Sequence, residues 1–185
     1  MTLTAPQLAT LKAAILADGT MSAKPMTSGG SLEIAGLLNA AASPAYYVWR
    51  SNTSASDIMD AITWANLTPA DTADGTATFT NRALVCQAKQ MNLQILLQGR
   101  DSLATGKTSV RGGLSDALQN VPAGAGGAVV DAGWAGAGKV KASITRTASI
   151  IEKLFSTGNG TTATPSTMGY EGPVSSDDVQ QARES

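Results

Sequence analysis

Apolar positions recur along this chain at helical spacing, separated by polar or Gly/Pro breaks. Thr4 and Gln7 form a capping box, Leu3 and Leu8 stand at staple positions, and Leu8, Leu11 and Ile15 make one stripe that ends at Asp18-Gly19. Beyond Ser28-Gly-Gly-Ser31, the residues Ile34, Leu37, Leu38 and Ala41 predict a second, short helix stopped by Ser43-Pro44. The most aromatic stretch, Ala45-Tyr-Tyr-Val-Trp-Arg50, reads as extended, with its rings plugging the core between helices. Ser54 with Asp57 caps a third helix carrying Ile58, Ala61, Ile62 and Ala65, and Pro69 lies beyond its end. Trp64 lies off that stripe, placed to face a partner.

The longest helical signal runs from about Ala77 to Gln98, with Leu84, Ala88, Met91 and Ile95 spaced four, three and four and Gly99 at its boundary. Val110, Leu114, Ala117 and Leu118 mark the next helix despite Gly112-Gly113. From Pro122 to Gly138 the chain is mostly Gly, Ala and Val, which reads as a flexible loop or insertion. Lys141 to Phe155 is predicted as one helix with Ile144, Ala148, Ile151 and Phe155 on a face, widened by Ile150 and Leu154 to suit two neighbours. Gly158-Asn-Gly160 is a turn, Thr161 to Tyr170 is extended, and Ser175 with Asp178 opens a short last helix with Val179 and Ala182 inward.

The fold class that follows is mainly α, a small bundle of about five to six helices packed around one core. Residues 1–156 form its body, with 122–138 as a loop. Residues 157–185 form an extended arm that has the turn for a short hairpin, ends in a short helix, and carries too few apolar residues to fold alone.

Composition narrows the chemistry. The 185 residues include no His and one Cys, which removes imidazole acid–base catalysis, Ser-His and Cys-His pairs, internal disulfides and most zinc sites. Cys86, in Ala83-Leu-Val-Cys-Gln-Ala88, reads as a buried packing thiol. Thirteen basic and fourteen acidic residues give a net charge of −1, too little field to gather nucleic acid or anionic lipid. No run of 18 apolar residues and no basic n-region occurs, so neither a membrane span nor a secretory signal is expected, and synthesis is expected in the cytoplasm.

Candidate motifs fail on their details. Thr105-Gly-Lys-Thr-Ser109 resembles the end of a phosphate loop, yet Asp101 occupies the leading glycine position and a helix, not a strand, precedes it. Gly124-Ala-Gly126-Gly127 and Gly136-Ala-Gly138 lack the third glycine of a dinucleotide fingerprint. Asp57/Asp60 and Asp177/Asp178 sit where carboxylates favour the first turn of a helix, so no metal and no cofactor is expected. Arg100 to Lys153 holds seven basic and four acidic residues, whereas Glu171 to Ser185 holds four acidic residues and Arg183, a pattern that fits an acidic tail on a neighbour's basic face.

Five segments carry a family resemblance. Leu3-Thr-Ala-Pro-Gln-Leu-Ala-Thr-Leu-Lys-Ala-Ala-Ile15, Asp60-Ala-Ile-Thr-Trp64, Ser109-Val-Arg111 and Arg146-Thr-Ala-Ser-Ile-Ile-Glu-Lys-Leu-Phe-Ser-Thr-Gly158 are similar to a small family of tailed-bacteriophage structural proteins. Tyr170-Glu-Gly-Pro-Val-Ser-Ser-Asp-Asp-Val-Gln-Gln-Ala-Arg183 resembles it most tellingly. The resemblance spans most of the chain, departs from the family in a longer 122–138 insert, and includes no catalytic signature.

It implies a non-enzymatic virion protein of the neck, a head-to-tail connector or adaptor made as a ring of about twelve copies. Its partners would be the portal, a tail-side neck or tail protein, and genomic DNA passing without sequence-specific binding. A head-completion stopper or tail terminator is the nearest alternative, and a DNA-binding protein using Arg100 to Arg111 a more distant one. The residues expected at the partner interface are Phe155, Tyr170, Glu171, Val174, Asp177, Asp178, Val179 and Arg183. On this reading, removing residues 159 to 185 leaves a folded body that no longer assembles.

Overall fold

The structure, a computed structural model, describes residues 3–185. In chain order its elements are α1 (Ala5–Ala17), α2 (Gly19–Ser22), α3 (Ser28–Asn39), β1 (Tyr47–Trp49), β2 (Thr53–Ser54), α4 (Ala55–Ala61), α5 (Ala77–Leu97), β3 (Ser102–Leu103), α6 (Thr108–Leu118), α7 (Lys139–Ser143), β4 (Thr145–Thr147), α8 (Ile150–Leu154), β5 (Ser156–Thr157), β6 (Thr167–Met168) and α9 (Ser176–Glu184). The protein is mainly helical, and its strands form only short two-stranded ladders, β1 with β4, β2 with β3, and β5 with β6.

Contacts divide the chain into two units. Unit 1 takes residues up to Val48, then Thr147–Thr161 and Pro165–Ser185; unit 2 takes Trp49–Arg146 and Thr162–Thr164. The boundary expected after residue 156 rests on composition, whereas this division joins distant segments, which leave no compositional mark.

Unit 1 is built on α1, α3 and α9. Leu8, Leu11 and Ile15 of α1, Ile34, Ala35 and Leu38 of α3, and Val179 and Ala182 of α9 meet in one core with Leu3, Met21, Ile151, Tyr170 and Val174. The helix starts follow their caps. Gln7 Oε1 accepts from the Thr4 N–H at 2.9 Å, and Asp178 N–H donates to Ser175 Oγ at 3.1 Å while Ser175 N–H donates back to Asp178 Oδ2 at 3.2 Å. Leu37, expected on the inner stripe of α3, is exposed, and Ala35 takes the inward place.

The single helix expected from Lys141 to Phe155 is two short ones with β4 between them. Ser149 restarts the helix: Glu152 N–H donates to its Oγ, and its own N–H donates to Glu152 Oε2 at 3.0 Å. The apolar spacing is nonetheless filled, with Ile144 buried in unit 2 and Ala148 and Ile151 buried in unit 1.

Unit 2 packs α5 on α6 and α4 on α7. Its core joins Ile58, Ile62, Leu67, Cys86, Leu93, Leu97, Leu114, Leu118, Val140 and Ile144. A column of rings and cations crosses this core. Trp49 and Trp134 stack with centroids 6.2 Å apart, the Arg111 guanidinium lies 4.7 Å from the Trp49 ring, and Lys141 Nζ lies 5.6 Å from Trp134. Arg111, only 8 % exposed, also donates to the carbonyls of Thr105 and Gly106 and to Thr108 Oγ1.

The segment 122–138, expected as a flexible loop, is pinned at several points. Val121 and Val130 exchange both backbone hydrogen bonds, at 3.0 and 2.8 Å. The Asp131 carboxylate accepts from the N–H groups of Gly133, Trp134 and Ala135. Gly138 is a steric requirement here, since a Cβ on it would stand 2.3 Å from the Gly133 carbonyl oxygen.

Candidate interaction surface

α5 carries two apolar faces. Cys86, Leu93 and Leu97 point into unit 2, while Leu84, Ala88, Met91 and Ile95 form the opposite face, directed to solvent. Leu84, Met91 and Ile95 keep 57, 61 and 65 % of their surface, and Val85 keeps 44 %. With Ala88 they offer about 500 Å² of apolar surface, near the top of what a monomeric protein exposes as one patch.

This face carries no charge. The two cations of α5 both turn inward: Arg82 Nη1 meets Asp71 Oδ2 at 2.8 Å, and Lys89 Nζ donates to the carbonyls of Asp116 and Gln119. What rims the apolar stripe is Asn81, Gln87, Asn92 and Gln94, all exposed. A face built only to stay in water would carry Lys or Glu at such positions.

A cleft of about 650 Å³ opens beside the stripe, floored by Leu93 and Leu97 and bordered by Met59, Trp64, Gln94 and Arg100. Trp64 heads a 3₁₀ turn, Trp64–Leu67, and its indole N–H donates to the Met59 carbonyl at 3.0 Å, which fixes the ring with half its surface exposed. Its exposure agrees with its place off the α4 stripe. A half-exposed Trp with Met beside it is the side-chain pairing that protein interfaces favour.

The residues expected at the partner interface sit elsewhere. Tyr170, Val174, Asp178 and Val179 are buried in unit 1, Phe155 is half-buried edge-on to Tyr170 at 5.8 Å, and Glu171 and Asp177 are exposed. Arg183 donates to the carbonyls of Lys24 and Pro25 and to Ser31 Oγ. Asn39 and the Val174 backbone exchange two hydrogen bonds at 2.9 and 2.8 Å. The expectation of an arm awaiting a host surface is corrected by this packing, because α1 and α3 of the same chain are the host. Burial raises the Tyr170 hydroxyl above its ordinary pKa, with Asp178 and Glu152 adding to the shift.

The rejected motifs find structural roles. Lys107 caps α6 through its backbone, and Thr105 Oγ1 donates to the Arg50 carbonyl, so the Gly-Lys-Thr string is a loop tied to its own unit. Among the described residues no three His, Cys, Asp or Glu side chains converge as a metal site, and no helix is long and apolar enough to cross a membrane. Cys86 is buried, and desolvation holds its thiol above the usual pKa. Comparison with protein-family models, with curated proteins and with solved structures found no match to this chain.

Proposed function

We propose that this protein is a structural component of a tailed-phage virion, a non-enzymatic neck subunit that joins the portal to the tail as a ring of about twelve copies and lets DNA pass. The observation that carries an assembly role is the uncharged apolar face of α5, which its own unit leaves open. Placement at the neck rests on the family resemblance of the segments from Leu3 to Ile15 and from Tyr170 to Arg183. A near-neutral chain also suits a channel through which DNA must slide, since each added cation would hold a phosphate.

In this reading the α5 face and Trp64 meet the neighbouring subunit or the portal. The C-terminal segment contributes by completing unit 1, with Glu171, Asp177 and Glu184 as its exposed carboxylates.

Native mass spectrometry of the protein, alone and mixed with the portal protein encoded beside it, tests the proposal. Joining the portal ring is the expected result. Self-made rings that ignore the portal would move the assignment to a stopper or tail terminator. Tight binding of free duplex at physiological salt, with no ring, would overturn it in favour of a DNA-binding protein.

A further inference from the structure

We infer that the free protein is a homodimer closed by α5 against α5 of a second copy, with the two helices antiparallel and meeting along Leu84, Ala88, Met91 and Ile95. The spacing of four, three and four is the seam spacing of two packed helices.

Charge selects the occupant. A partner with a charged face would find nothing on α5 to pair with, because Arg82 and Lys89 are both held inward. Two copies of the face meet with no like charges opposed, and the amides of Asn81, Gln87, Asn92 and Gln94 both donate and accept, so the rim is complementary to itself. Two such faces, Val85 counted on each, present about 1,000 Å² of apolar surface together, the area at which specific interfaces begin.

Volume selects the direction. A parallel pair would set Ala88 opposite Ala88 and Met91 opposite Met91, a gap beside a crowded layer. The antiparallel pair sets Ala88 opposite Met91 and Leu84 opposite Ile95, so that small faces large in both central layers. Opposed helix dipoles favour the same arrangement.

A twofold contact uses one patch on both copies and closes on itself, so it cannot propagate into a ring. The dimer therefore covers the α5 face until another surface competes for it. The inference stands on α5 alone, and its failure is read separately from that of the virion assignment, which portal mixing tests.

Sedimentation of the full chain at high micromolar concentration should give a dimer. Ile95→Lys and, independently, Leu84→Lys should be monomeric with unchanged far-UV circular dichroism, the dissociation constant rising by roughly 100-fold or more because each change acts twice per dimer. Leu84→Cys mixed with Ile95→Cys should be joined by a short bismaleimide that joins neither variant alone, because like positions lie about 16 Å apart along the antiparallel axes, with buried Cys86 silent. A monomeric wild type, a dimer that survives both Lys substitutions, or a Leu84→Cys variant that cross-links as readily by itself would each overturn the inference.

Discussion

Replacing Arg111 by Met tests whether the ring–cation column holds unit 2 together. Met keeps the apolar stem but removes the donors to the Thr105 and Gly106 carbonyls and to Thr108 Oγ1, together with the cation over Trp49. Stranded buried carbonyls cost about 1–3 kcal/mol each, and a desolvated cation–π contact adds about 1–2 kcal/mol. Against this, the variant no longer buries a guanidinium, a burden visible in the downward pressure of desolvation on the Arg111 pKa. The net expectation is a loss of about 3 kcal/mol. That lowers the melting temperature by about 15 °C where unit 2, about 100 residues, melts by itself, and by about 8 °C where the whole chain melts together.

The three tryptophans, Trp49, Trp64 and Trp134, all lie in unit 2, so their fluorescence during thermal and urea unfolding reports that unit directly. Arg111→Lys should recover less than half of the loss, since an ammonium cannot present a planar fork to three acceptors. A Met variant within about 1 kcal/mol of wild type, or one more stable than it, would refute the reasoning and make the buried charge a net burden.

Other expectations follow from single contacts. Gly30→Ala should destabilise unit 1 by about 1–3 kcal/mol, because its Cβ would stand 2.1 Å from the Pro25 carbonyl oxygen, whereas Gly36→Ala on the open side of α3 should gain up to about 1 kcal/mol; urea midpoints of the pair check this. Ending the chain at Pro173 removes α9 from α1 and α3, and should leave residues 3–48 open to limited proteolysis; a protease-resistant N-terminal segment would contradict the packing described. The Asp71 carboxyl is held below its ordinary pKa by the Gly126 N–H and by Arg82, so its stabilisation is complete at neutral pH and is lost as pH falls below 3.8 through the folded-state value. Wild type and Asp71→Asn should therefore differ in urea midpoint at pH 7 and converge in acid.

Local signals in the sequence located most helices. The caps at Ser54 and Ser175 are where the chain places them, and Leu8, Leu11, Ile15, Leu114, Ala117, Leu118, Val179 and Ala182 are buried as their spacing implies. What failed depended on distant partners. Ile144, Ala148 and Ile151 share a helical spacing by coincidence, since they belong to two different units. The Gly/Ala segment has the composition of a linker, and only the Asp131 carboxylate and the buried Trp134 distinguish it from one. On α5 both faces are apolar, so periodicity found the Leu84–Ile95 stripe but could not tell that Leu93 and Leu97 would join Cys86, expected as a packing thiol, in the core. The arm was misplaced for a related reason: its apolar residues are too few to fold alone, and the surface that completes them lies at the other end of the same chain.

That last arrangement sets an order of events during synthesis. Unit 2 is almost one contiguous stretch, Trp49–Arg146, whereas unit 1 needs both α1 and α9. As the chain leaves the ribosome, α1 and α3 emerge early but have no α9 to close on until Ser176–Glu184 is translated, so unit 1 closes after unit 2 although its first helices are made before it. A chain interrupted anywhere before α9 exposes Leu11, Ile34 and Leu38 to proteases and chaperones. Translation through α9 is thereby checked by the fold itself, because unit 1 closes its core only in chains that contain Val179 and Ala182.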